Sequence, residues 1–143
     1  MRALKIDPKI ELDAVFALRT LISISPFVCI SQRAAIYEAA KGEEREEFIG
    51  ILAEISARIE TMPKTYDQDG KGKDSIAYLH YFQGAYDAYI TEKDMYADQR
   101  QAFGWANFGC GFEAGYISLA ELTKNGMELD LFFEPQRIKE LGL

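Results

Sequence analysis

The sequence predicts an α+β fold, an N-terminal three-helix segment packed with a small, mainly antiparallel β-sheet. Two changes along the chain predict it. Apolar residues recur at helical spacing from Pro8 to Met62, and between Ile76 and Ile90 the period drops to two. Between these regions the chain turns polar and glycine-containing (KTYDQDGKGKD), which reads as a solvated linker. At 143 residues the chain suits one domain, residues 1–143. That domain divides into a helical segment 1–62, a polar linker 63–74 and an α+β segment 75–143.

Asp7 followed by Pro8 is an N-cap and an N1 proline, so the first helix runs from about Pro8 to Ile24. Leu12, Val15, Phe16, Arg19 and Ile22 form its stripe, with Arg19 the one polar member. Ser25 and Pro26 repeat the cap, and Phe27, Ile30, Ala34, Tyr37 and Ala40 carry a second helix, Pro26 to Lys41, that Gly42 can end. The uncharged run between Arg19 and Arg33 falls short of a membrane span and reads as a buried helical hairpin. Glu43, Glu44, Glu46 and Glu47 open a third helix where the macrodipole favours negative charge. Phe48, Ile51, Leu52, Ile55, Ile59 and Met62 are its stripe, and Pro63 stops it.

Alternation over Ile76–Phe82 and Tyr86–Ile90, with a tight turn at Gln83 and Gly84, predicts a β-hairpin. A polar loop, Glu92 to Gln101, leads to a third strand, Ala102 to Cys110, in which Gly104 and Gly109 signal a bulge or a close backbone approach. Phe112–Ile117 is a short strand, and Ser118 with Glu121 is a capping box for a helix ending at Asn125 and Gly126. Met127–Phe133 reads as a last strand, and Pro135 starts a final helical turn ending at Leu143.

Sixteen Lys and Arg against 23 Asp and Glu leave a net charge of -7, which disfavours direct binding to nucleic acid or an anionic membrane and favours a cationic partner. Residues 1–62 contribute -2 (eight basic, ten acidic) and residues 63–143 contribute -5 (eight basic, thirteen acidic). Cys29 and Cys110 sit in apolar sequence without zinc spacing. Reduced thiols in a cytoplasmic protein are the simplest reading.

No catalytic or metal-binding signature stands in the chain, and no cofactor is expected. As a calcium loop, DQDGKGKD would place Thr65 where the first Asp is needed and Ile76 where the closing Glu is needed. As a phosphate loop, Lys73 lacks a following Ser or Thr. Gly109, Gly111 and Gly115 are spaced one residue too long for a dinucleotide turn. His80, the one histidine, excludes a histidine metal centre by count and reads as a packed, hydrogen-bonded side chain between Tyr78 and Phe82. Asp87, Glu92, Glu113, Asp130 and Glu134 are carboxylates that cross-strand pairing can gather on one sheet face, where two in contact would raise one pKa.

Tyr89, Thr91 and Glu92, then Phe103 and Gly104, then Gly111, Glu113, Gly115, Tyr116, Ser118, Leu119, Glu121 and Leu122, and lastly Asp130, Leu131, Phe133 and Pro135 carry a resemblance. From about Ala77 to Leu141 the chain resembles a family of small proteins of unknown function carried by plasmids, phages and other mobile elements. It departs from that pattern at Ala88, where the family tends to have tryptophan, and at Leu129, where it tends to have arginine. The N-terminal helices lie outside the resemblance, which implies a genetic setting and, the family having no settled activity, carries over no catalytic residues.

Together these readings lead to an expectation: a small acidic, non-enzymatic binding protein of a phage or plasmid that engages a basic protein surface. An inhibitor of a host defence nuclease or CRISPR complex is the example. Its expected contacts are Glu43, Glu44, Glu46, Glu47, Asp87, Glu92, Asp94, Asp98 and Glu113. Two other classes are a small hydrolase or transferase using a carboxylate with His80, Tyr89 or Tyr116, and a dimeric module joined through exposed aromatics.

Overall fold

The computed structural model describes residues 7–143, so the first six residues of the helical segment lie outside it. The element order is α1 (Pro8–Ser23), a 3₁₀ turn (Ser25–Phe27), α2 (Ile30–Ala39) and α3 (Arg45–Thr61). Then come β1 (Ile76–Ala77), β2 (Leu79–Gln83), β3 (Tyr86–Glu92), β4 (Ala102–Asn107), β5 (Glu113–Ile117), α4 (Leu119–Lys124), β6 (Glu128–Leu129) and β7 (Gln136–Arg137). The fold is α+β. Its main sheet has five strands in the order β5-β4-β3-β2-β6, antiparallel throughout, and β1 pairs with β7 in a separate two-stranded ribbon.

Local chemistry explains most element ends. The Asp7 carboxylate accepts from the Lys9 N–H at the start of α1, and the Ser118 hydroxyl accepts from the Glu121 N–H at the start of α4. The second helix is shorter than its stripe implied, because Phe27, Val28 and Cys29 are all buried and extended backbone at Val28 and Cys29 separates the proline turn from α2. The hairpin turn falls at Gly84 and Ala85, one residue later than expected, with Gly84 at φ +57°. Of the strand expected over Met127–Phe133 only Glu128 and Leu129 pair. Beyond them Asp130 turns the chain, donating its N–H to the His80 carbonyl and accepting the Phe132 N–H on its carboxylate. Gln136 and Arg137 form a strand where a helical turn was expected, and the turn itself starts at Ile138.

One face of the sheet is core. Leu79, Tyr81, Ala88, Ile90, Ala102, Ile117 and Leu129 point into a cluster that also holds Ala17, Leu21 and Ile24 from the first helix region, Ile36 from α2, and Leu52, Ile55 and Ile59 from α3. Ala88 and Leu129 both lie in this layer. The Tyr81 hydroxyl donates to the Phe27 carbonyl at 2.6 Å, and burial pushes this phenol's pKa far up. Asp13 on α1 takes a 3.0 Å ion pair from Arg45 on α3. Lys93, just past β3, donates to the Ile59 and Glu60 carbonyls at the C-terminal end of α3. On α2, the Gln32 amide donates to the Leu129 carbonyl and accepts from the Leu129 N–H, so it lies along the free edge of β6 like one residue of a further strand.

Two expectations are corrected here. The stripe Leu12, Val15, Phe16, Arg19 and Ile22 faces outward, while Ala17, Thr20 and Leu21 are the buried side of α1. The segment 63–74, expected as a solvated linker, is exposed along most of its length but anchored at two residues. Thr65 and Gln68 are buried, the Thr65 hydroxyl donates to the Lys93 and Gln101 carbonyls, and Lys64 bridges Lys93 in parallel register.

Candidate functional site

The second face of the sheet carries the side chains with chemistry. Strand alternation puts Phe103 and Trp105 on it, and pairing sets Tyr116 beside Phe103 and Tyr89 beside Trp105. The C-terminal residues Phe133, Ile138, Leu141 and Leu143 cover Tyr89 and Trp105 in a small second core with Ala77. Next to it, between the sheet and the 63–75 segment, a cavity of about 400 Å³ stays open. Tyr66, Phe103, Trp105 and Tyr116 wall it, with Glu92 and Asp69 as its carboxylates.

Glu92 reaches this face through a bulge. Ala88 and Ile90 point into the core, so strict alternation would send Glu92 there too. Register instead runs Ile90 to Gly104 and then Glu92 to Phe103, placing two residues of β3 against one of β4. That single extra residue turns Glu92 away from the apolar core and onto the aromatic face. Gly104 makes it possible, since a Cβ there would overlap the Tyr89 carbonyl oxygen.

The Glu92 side chain is held from the loop side. Its carboxylate accepts the Gln68 N–H at 2.8 Å. The Gln68 amide in turn accepts from the Ile76 N–H and donates to the Ile76 and Thr91 carbonyls, filling the gap between β1 and β3. Glu92 is 4% exposed, and burial raises its pKa above the ordinary carboxylate value. Asp67 and Asp69 push in the same direction, while the Gln68 and Tyr66 backbone N–H groups oppose it. Among the described residues no cation pairs with it, and no group of three His, Cys, Asp or Glu is placed to hold a metal ion.

Tyr66 stands across the mouth. It holds φ +80°, a region bulky residues rarely occupy, and its hydroxyl is 2.8 Å from that of Tyr116. That hydrogen bond raises the Tyr116 pKa, so the phenol remains neutral near pH 7. On Trp105 the Lys73 ammonium sits 5.8 Å from the ring centre, so this indole already serves as a cation–π face.

His80 forms a separate cluster. Its Nδ1 is 3.0 Å from an Asp130 oxygen and its Nε2 2.7 Å from an Asp87 oxygen, and the ring stacks on Tyr89 with centroids 4.4 Å apart. Of the five carboxylates that pairing was expected to gather, Asp87 and Asp130 do meet around this one ring. With a carboxylate on each nitrogen, His80 has no free position from which to take a substrate proton. Burial first, then the charges of Asp87 and Asp130, raise the Tyr89 pKa, which disfavours its phenolate as a nucleophile.

The nine expected contacts separate. Glu43, Glu44, Glu46 and Glu47 are exposed around the start of α3, Glu46 in an ion pair with Lys9. Glu113 is exposed on β5, and Asp98 is exposed and pairs with Arg100. Asp87 is half-buried against His80. Glu92 and Asp94 are both buried, so neither stands on the outer surface with the exposed acids. Asp94 shapes the loop after β3, its carboxylate accepting the Arg100 and Gln101 N–H groups. Cys110, expected in apolar surroundings, is exposed. Sequence reasoning passed over Tyr66, Gln68, Phe103 and Trp105. The period-two spacing of Phe103 and Trp105 was a usable signal, whereas Tyr66 lay in a stretch that reads as linker.

Fold and site together define an α+β protein with an aromatic cavity floored by a buried carboxylate. No protein-family model, no curated protein and no solved structure matches the chain.

Proposed function

We propose that the protein binds a basic partner protein and that its cavity takes up one cationic side chain of that partner, arginine in first place. The observation that carries this is the Glu92 carboxylate, buried in an aromatic cavity and in no ion pair among the described residues. A volume of about 400 Å³ lies in the range of small-ligand sites and admits a single long side chain. The aromatic walls favour a guanidinium or ammonium on their faces, and Arg, being planar and weakly hydrated, loses least on entering. The Gln68 N–H at Glu92 leaves carboxylate lone pairs for a charged donor. Exposed Glu43, Glu44, Glu47, Asp98 and Glu113 supply the longer-range field, which speeds encounter more than it holds the complex.

The partner class this reading favours is a host nucleic-acid-binding protein, such as a defence nuclease or CRISPR complex. The net charge of -7 and the resemblance to mobile-element proteins support it. Trp105 is the one tryptophan in the chain and lines the cavity, so its fluorescence reports occupancy. Titration with N-acetyl-arginine amide is expected to change that signal saturably in the wild type. Glu92→Gln is expected to weaken the response at least about tenfold. A response equal in both proteins would sink the reading. For the whole partner, capture from host lysate at low and high salt is expected to lose the same protein on Glu92→Gln.

A further inference from the structure

The first helix is apolar on both sides. Ala17 and Leu21 face the core, while outward stand Leu12 (69% exposed), Val15 (47%), Leu18 (47%) and Ile22 (64%), continued by Ile30 (76%) at the start of α2. An apolar stripe on a helix calls for burial, and this helix has one of its two stripes covered within the described residues. The outward face has relief as well. Leu12 and Val15 form a ridge over its N-terminal half. Beside its C-terminal half, Leu18, Ile22, Ile30 and Tyr37 line a groove of about 300 Å³ between α1 and α2.

We propose that this face is a self-association surface, α1 packing antiparallel on α1 of a second copy about a twofold axis near Val15. Ridge and groove then meet reciprocally, as an isologous contact requires. Counting out from Val15 at 1.5 Å per residue sets Leu12 of one copy at the level of Leu18 of the other, and Glu11 at the level of Arg19. Both charged residues are exposed and neither has an ion-pair partner among the described residues. A parallel arrangement would oppose Arg19 to Arg19, so charge selects the antiparallel one. Arg33 lines the groove, its Nε buried and without a hydrogen-bond partner among the described residues. A heterologous partner would need no such match between two residues of one helix. The second copy accounts for both the relief and the charges.

Sedimentation velocity of the full chain from about 1 to 100 µM tests the proposal, since standard dimers form well within that range. The wild type is expected to approach twice the 16.2 kDa chain mass. Val15→Glu is expected to sediment as a monomer with unchanged far-UV circular dichroism, as suits an exposed position. Glu11→Arg is expected to weaken association at least about tenfold, and the swap Glu11→Arg with Arg19→Glu to restore it to within about threefold. A wild type that stays monomeric throughout, including one whose face serves a different protein, overturns the proposal. So does a double swap as weak as the single one.

Discussion

Glu92 carries a cost that its surroundings make measurable. Its pKa is raised in the folded protein, so the fold prefers the protonated acid. The stability tied to that preference is present below the ordinary carboxylate value and is lost as pH rises through the raised one. Ionising this unpaired carboxylate as pH rises therefore destabilises the fold. Glu92→Gln keeps the shape and removes the charge, so its melting temperature is expected to exceed that of the wild type at pH 7. The gap should close as pH is lowered toward 4. A gap that widens in acid would contradict this account. The variant that binds worst would then be the more stable one, as expected when a site holds an unfavourable group for its ligand. Little of this was legible beforehand. Glu92 reads in the sequence as one acid among the expected contacts, because sequence shows the charge and not the bond from the Gln68 N–H, 24 positions earlier.

At the scale of elements, the β3 bulge and Gly104 act as one device. Gly104→Ala would drive a methyl into the Tyr89 carbonyl, and backbone has nowhere to give without breaking the β3–β4 ladder. The expected loss is on the order of 3 kcal/mol or more in urea unfolding, with fluorescence of Trp105 shifted in whatever still folds. A loss below about 1 kcal/mol would show that the close approach is not required. The glycine was legible as a close approach from sequence. The strands it joins were legible too, because alternation is local, and so was the cap at Ser118. The direction of α1 was not. With Ala17, Leu21 and Ile24 on one side and Leu12, Val15 and Ile22 on the other, helical spacing fits both faces, and only the packing of α3 decides between them. Residues 63–74 misled for the opposite reason. Their composition is that of a loop, and side-chain bonds of Thr65 and Gln68 reach backbone as far as 36 positions away.

Across the whole molecule, the buried cluster that spans α1 to β6 leaves the sheet with two ends, and the chain treats them differently. At β6, Gln32 fills both hydrogen-bonding groups of Leu129 from a helix 97 residues away in sequence. In Gln32→Leu these groups lose their partner at a cost of about 1–3 kcal/mol. The larger effect would be between molecules. An unpaired N–H and carbonyl on a sheet edge are a template for another chain's strand, so the variant is expected to scatter light on warming at concentrations where the wild type stays clear. Equal scattering by both proteins would remove this role. A single amide would then be what keeps the β6 edge from recruiting a stranger's backbone.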